Sequence, residues 1–188
     1  GLYTTNISVY LFDKQLKSNV LKLPSTYANV YKISGENAGE KDEREKKWFM
    51  RKDFEGSLKD VCIKIMDENN DVSPYTGGGY FGLSMIRLPE MYYIMAEALL
   101  EEGNAGKARV YLDSVVAARG LVKFADREFE REITIDDIMN EWHKEFYGEG
   151  IWWYCLKRNN KDIFVHERNT IVAGSDKIYT LPIPADEF

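Results

Sequence analysis

Two apolar stripes of helical spacing, joined by a few residues, limit what this chain can fold into more than any other feature. In the first, Met85–Leu100, apolar side chains fall at Ile86, Leu88, Met91, Tyr92, Ile94, Met95, Ala98 and Leu99. They cover most of a helix circumference, so this helix is expected to be buried on more than one side. Pro89 is compatible with a first turn, where a missing N–H breaks no helical bond. Gly103, after Glu101 and Glu102, offers a left-handed cap, and Asn104 opens the second helix. There Ala108, Tyr111, Leu112, Val115 and Val116 lie at offsets of 3, 4, 7 and 8, one stripe. So short a connection leaves the two helices only an antiparallel hairpin.

A third helix is expected after Thr134, where Thr134 and Asp137 have capping-box spacing and Ile135, Ile138, Met139, Trp142 and Phe146 form the stripe. Gly148-Glu149-Gly150 interrupts it, Ile151–Arg158 reads as a short aromatic helix, and Tyr179–Pro184 as an extended tail. Residues 1–83 have a different period. Asn6–Phe12, Tyr27–Ile33 and Asp60–Met66 alternate as short strands. The charge run Glu40–Asp53, broken by Trp48, Phe49 and Met50, reads as a solvated loop or short helix with those three tucked inward. Gly77-Gly78-Gly79 is a turning connector; with no Lys-Ser/Thr behind it, it is no phosphate loop. The expected organisation is an irregular region with short strands and loops over 1–83 and a helical region over 84–188, together one domain. Two hairpins resemble tetratricopeptide units, of which about three are normally needed for stability. The nearly all-apolar Met85–Leu100 helix wants partners on more sides than the chain supplies, so the chain reads as a fragment of a longer protein.

Several functions are disfavoured by simple chemistry. Net charge is -6 over 188 residues, with no dense Lys/Arg patch, which argues against phosphate-driven nucleic-acid binding. No apolar run reaches the roughly 18 residues a membrane span needs. Cys62 and Cys155 are too few and too far apart for a zinc or iron–sulfur site and read as small buried hydrophobes; whether they pair is open. His143 and His166 have no nucleophile or carboxylate partner in a catalytic pattern. Glu141, Glu145 and Glu149 recur every four residues along one helix face, unlike the opposed carboxyls of a glycosidase, and read as partners for nearby Lys or Arg.

Several segments, in order, carry a resemblance. Ile86-Arg87-Leu88-Pro89-Glu90-Met91-Tyr92, continuing to Ala96-Glu97-Ala98, resembles the signature helix of the SusD/RagB family, the surface nutrient-binding proteins of Bacteroidetes-type outer membranes. Gly103, Ala108, Leu112-Asp113-Ser114-Val115 and Arg119-Gly120-Leu121 continue the pattern. Glu141, Glu145-Phe146, Glu149-Gly150, Trp153, Leu156 and Arg158 match its Glu-Arg-Arg-x-Glu-Leu-x-x-Glu-Gly-x-Arg-Trp-x-Asp-Leu-x-Arg segment at the same spacing. Leu181-Pro182-Ile183-Pro184 with Glu187 is similar to its closing motif, and Asp42-x-Arg44 resembles a weaker element. Trp142 and His143 stand in place of two arginines, Trp152 of another, and Cys155 of the aspartate. These losses suggest an ion-pair network exchanged for aromatic packing.

The resemblance implies a mostly α fold, with tetratricopeptide-like hairpins, short β-strands and irregular loops. It implies non-catalytic binding of a glycan or other nutrient polymer at the outer cell surface, with no cofactor and no metal. The implied partner is a SusC-like TonB-dependent transporter. Membrane contact would come only through a lipid anchor outside this segment. The aromatic content of 13% bears on the ligand. Flat side chains stack on the C–H faces of sugars while polar groups read the edges, so loop aromatics are the candidates. By location these are Tyr27, Tyr31, Trp48, Tyr75 and Tyr80; Trp142, Trp152 and Trp153 are expected in the core. The alternative is a tetratricopeptide-like protein-interaction scaffold that binds no sugar.

Overall fold

The computed structural model describes residues 31, 42–54, 56–62, 64, 86–127, 131–165 and 170–180. Of the expected elements, the strand at Asn6–Phe12, all of Tyr27–Ile33 but Tyr31, the triple glycine and the proline tail after Thr180 lie outside them; Tyr179, expected to open that extended tail, instead ends a helical turn. The fold is mostly helical, and the chain divides into two compact units, residues 1–148 and 149–188.

In the first unit the charge run holds the short helix, one of its two expected forms, and then runs on into a strand. Asp42 caps helix α1, Glu43–Trp48, its carboxylate accepting from the Arg44 N–H at 2.9 Å. The chain then extends directly into β1, Phe49–Phe54, which pairs antiparallel with β2, Ser57–Cys62. The turn between them uses Gly56 at φ 77°, with its N–H bonded to the Asp53 carboxylate. β2 thus begins before the expected Asp60, because the hairpin register, pairing Phe54 with Ser57, recruits residues whose own alternation is poor.

Helices α2, Leu88–Glu101, and α3, Ala105–Ala118, form the expected hairpin. Gly103 is left-handed, and the Gly103 and Asn104 N–H groups return to the Leu100 and Leu99 carbonyls, a Schellman closure. Asn104 then caps α3 by accepting from the Lys107 N–H. Tyr93 and Ala96 of α2 and Ala108, Leu112, Val115 and Val116 of α3 are buried, and Tyr92 meets Tyr111 edge to face at 5.9 Å. Helix α2 is covered on more than one side, as expected, yet Leu88, Met91, Ile94 and Met95 are all exposed. Its apolar circumference has one face against α3 and another against α4, leaving the outer stripe uncovered.

At the end of α3, Gly120 is left-handed at φ 77°, and a Cβ there would lie 3.0 Å from the Glu43 side chain. The Glu43 N–H donates to the Arg119 carbonyl, so the start of α1 docks on the end of α3. Asp113 accepts from the N–H groups of Phe124 and Ala125, fixing the single 3-10 turn Phe124–Asp126. Helix α4, Ile135–Glu145, opens with the expected capping box of Thr134 and Asp137, reinforced by a bidentate ion pair from Arg131. Its stripe delivers Trp142 and Phe146 onto Tyr93, at 5.8 and 6.3 Å between ring centroids.

In the second unit, helix α5, Trp152–Arg158, ends in another Schellman closure, with Asn160 left-handed. The hairpin β3, Ile163–Val165, and β4, Thr170–Val172, leads to a last turn, α6, Asp176–Tyr179. Gly174 is required by close approach: a Cβ there would lie 2.5 Å from the carbonyl oxygens of Asn160 and Lys161.

Candidate functional site

The strongest concentration of chemistry is a buried charge cluster in the first unit. Asp42 and Arg44 come from α1 and its cap, Arg87 from the start of α2, and Arg119 from the end of α3. Glu141, Lys144 and Glu145 come from α4. Glu141, Lys144 and Glu145 share a face because offsets of three and four residues bring helix side chains together. Helix termini bring in the rest, and this explains why residues so distant in sequence converge.

The Arg44 guanidinium, enclosed on all sides, holds Asp42 bidentately at 2.9 and 2.7 Å, Glu141 at 2.7 Å and Glu145 at 3.4 Å. Glu145, fully buried, also receives a bidentate pair from Arg119 at 2.8 Å and an ion pair from Arg87 at 2.9 Å. Arg87 and Lys64 both donate to the Glu145 backbone carbonyl. Lys144 completes Glu141 at 2.7 Å. Three carboxylates thus face four cations, the arrangement in which buried charge is tolerated.

Burial by itself would raise both glutamates' pKa values. Arg44, then Lys144, overcomes that at Glu141 and holds its carboxyl down at about 2. Bonds from Arg119 do the same for Glu145, which is also lowered. Desolvation opposes ionisation of Arg44, but Glu141 and Asp42 outweigh it and push its pKa up. Both glutamates are therefore ionised and saturated with donors at neutral pH, a state suited to bracing helices and unsuited to donating a proton or attacking a substrate. Arg44 occupies the point where the three carboxylates converge. Among the described residues no group of three His, Cys, Asp or Glu side chains is placed to hold a metal ion.

The expectation that aromatic packing has replaced the ion-pair network holds for half of it. Trp142 is indeed core, 5.4 Å from Phe146, and His143 stacks on Tyr147 at 6.2 Å. The network nevertheless persists, its cations supplied by Arg44, Arg87 and Arg119. Inside it the Tyr93 hydroxyl is fully buried and has no hydrogen-bond partner among the described residues. Burial pushes its pKa well up, and Glu141 adds to that.

Of the candidate ligand residues, Tyr27, Tyr75 and Tyr80 lie outside the described residues. Tyr31 is placed in the interior rather than at a surface. It is 5% exposed, packs edge-on against Phe49 at 5.6 Å, and donates its hydroxyl to the Lys144 carbonyl at 2.7 Å. It is recruited there because α4 presents an unused carbonyl beside an apolar pocket formed with Tyr147. Trp48 ends α1, half-buried, with the Lys64 ammonium 3.9 Å from its ring centroid. Trp153, expected in the core, is 44% exposed, and the adjacent Tyr154 is 67% exposed. The helix period was the available signal: Cys155 and Leu156 define the inward face of α5, and residues 153 and 154 fall off it. Cys62 and Cys155 are both buried thiols, not joined in a disulfide.

Among the described residues no helix is long and apolar enough to cross a membrane. The family model described as the SusD family matches residues 26–175, well over half of the chain, a span containing every member of the charge cluster. No curated protein and no solved structure matches the chain.

Proposed function

The chain belongs to the SusD family, and from that premise we propose that it captures a glycan or other nutrient polymer at the outer cell surface without turning it over. The captured polymer passes to a SusC-like TonB-dependent transporter, and attachment to the outer membrane is by a lipid anchor. The observation that carries this reading is the family match over residues 26–175 together with its structural content. The matching motif residues Asp42, Arg44, Arg119, Glu141 and Glu145 form one buried scaffold, leaving surface aromatics to meet a ligand. Ligand contact is proposed for Trp48 with Tyr27, Tyr75 and Tyr80, and Tyr31 braces the wall behind Trp48's neighbour Phe49. Saturable quenching of tryptophan fluorescence by one member of an oligosaccharide panel, without release of new reducing ends, is the expected result. Reducing-end release would sink the non-catalytic reading.

The second reading is a tetratricopeptide-like interaction scaffold without sugar binding. The exposed apolar stripe of α2, Leu88, Met91, Ile94 and Met95, favours it, since such a patch marks a protein contact more readily than a sugar site. Silence to every sugar, combined with co-purification of the transporter, would select this reading over the first.

A further inference from the structure

We infer that α5 carries a surface site for an acidic saccharide, formed by Trp153, Tyr154 and Lys157. The inference rests on the capture reading and adds to it a ligand class and a second contact surface, formed by residues other than those proposed above.

The other described tryptophans are less open than Trp153. Trp142 is in the core, Trp48 lies under the Lys64 ammonium, and Trp152 is half-buried with interactions of its own. Trp153 and Tyr154 differ. They are 44% and 67% exposed, and Tyr154 makes no hydrogen bond, ion pair or ring contact among the described residues. Trp153 is nonetheless held in place. It meets the Tyr179 ring edge to face at 5.2 Å, and Tyr179 is itself buried, with its hydroxyl donating to the Lys161 carbonyl. An exposed indole with a fixed orientation loses little freedom when a flat ligand stacks on it.

Lys157 lies four residues after Trp153, on the same helix face one turn along. It is exposed and its ammonium makes no ion pair or hydrogen bond among the described residues. An open indole face and an uncommitted cation about 6 Å along the helix match a pyranose bearing a carboxylate or sulfate. The indole takes the C–H face of the ring. The ammonium takes the anion, and the Tyr154 hydroxyl, about 100° around the helix, reaches a neighbouring sugar's hydroxyl. A neutral sugar would use the ring alone.

The test compares oligogalacturonate with malto-oligosaccharide, titrated into the full 188-residue chain by calorimetry. The expected result is saturable binding of oligogalacturonate. Lys157→Gln weakens it about three-fold, the size expected for one exposed ion pair, and less so at high salt. Trp153→Ala weakens it about ten-fold, as for a central aromatic contact. If Trp153→Ala disturbs folding, Lys157→Glu at an exposed position decides instead, and must abolish any preference for the acidic probe. Undiminished oligogalacturonate binding in the Lys157 and Trp153 variants overturns this site while leaving capture by another surface intact. Binding of the neutral probe alone overturns the acidic class. Failure of wild type to bind either probe, or any sugar of the wider panel, overturns the site and the capture reading together.

Discussion

Arg44→Met is the sharpest test of the scaffold. Methionine fills much of the same volume, so the change isolates the guanidinium. The wild-type side chain is 0% exposed and makes two bonds to Asp42, one to Glu141 and a longer one to Glu145. After its removal Glu145 keeps Arg87 and Arg119, and Glu141 keeps Lys144. Among the described residues Asp42 keeps only the backbone N–H of residue 44, so the loss concentrates on one 1%-exposed carboxylate and half of another. Breaking a buried pair on one side costs about 3–5 kcal/mol. With a urea m-value of about 2 kcal/mol/M, the midpoint falls by about 2 M. Circular dichroism gives the midpoint, and hydrogen exchange at the α4 amides locates the loss. The double variant Asp42→Asn, Arg44→Met removes the stranded charge and recovers about 1–2 kcal/mol. A loss below about 1 kcal/mol for Arg44→Met, or no recovery in the double variant, would refute the clamp.

The pH dependence has a fixed sign. Glu141 is held at about 2 against an ordinary 4.5, so it contributes about 3 kcal/mol of stability in full above about pH 5, lost as pH falls through 4.5 toward 2. Glu145 is shifted in the same direction. Urea midpoints should be flat from pH 7 to 5 and fall steeply by pH 3; a flat profile down to pH 3 would contradict the network. Tyr93→Phe removes a buried hydroxyl with no partner among the described residues, so thermal stability should change by less than about 1 kcal/mol, and a larger loss would reveal a bond to that oxygen in solution. Gly174→Ala forces a methyl against two backbone carbonyls and should cost about 1–3 kcal/mol, seen as faster proteolysis within residues 149–188; an unaltered digestion pattern would count against that packing.

What was legible in the sequence is what depends on neighbours along the chain. The α3 stripe, the Gly103 cap, Asn104 and the Thr134–Asp137 box each follow from spacings of eight residues or fewer, and all are present. Arg44 was not legible as a core residue. Its own segment is a charge run, and the carboxylate that justifies its burial, Glu141, lies 97 residues away. Composition treats such a run as solvated, because the partners that make burial tolerable are invisible locally. The same blindness applies to α2, where an apolar circumference shows what a helix can bury and not what is there to bury it. Tyr31 failed for a related reason: a tyrosine in an irregular stretch looks available until a distant carbonyl, here that of Lys144, takes its hydroxyl.

This division bears on how much the family motifs say about function. Asp42, Arg119, Glu141 and Glu145 are recognisable in order along the chain, and the structure joins all of them in one cluster whose three carboxylates are buried and whose two glutamates are held ionised by cations. They fix how α1, α2, α3 and α4 meet, and they present nothing to solvent that could distinguish one sugar from another. A chain can therefore keep every one of these residues while its ligand changes completely. Ligand choice must lie in side chains the motifs leave free, because only those can alter without breaking a charge balance of buried groups. Tyr154 and Lys157 stand at two such positions in the last matching segment, whereas Trp153 is prescribed by it. Exchanging Lys157 for a neutral residue should therefore change which sugar is preferred while leaving the melting temperature in place.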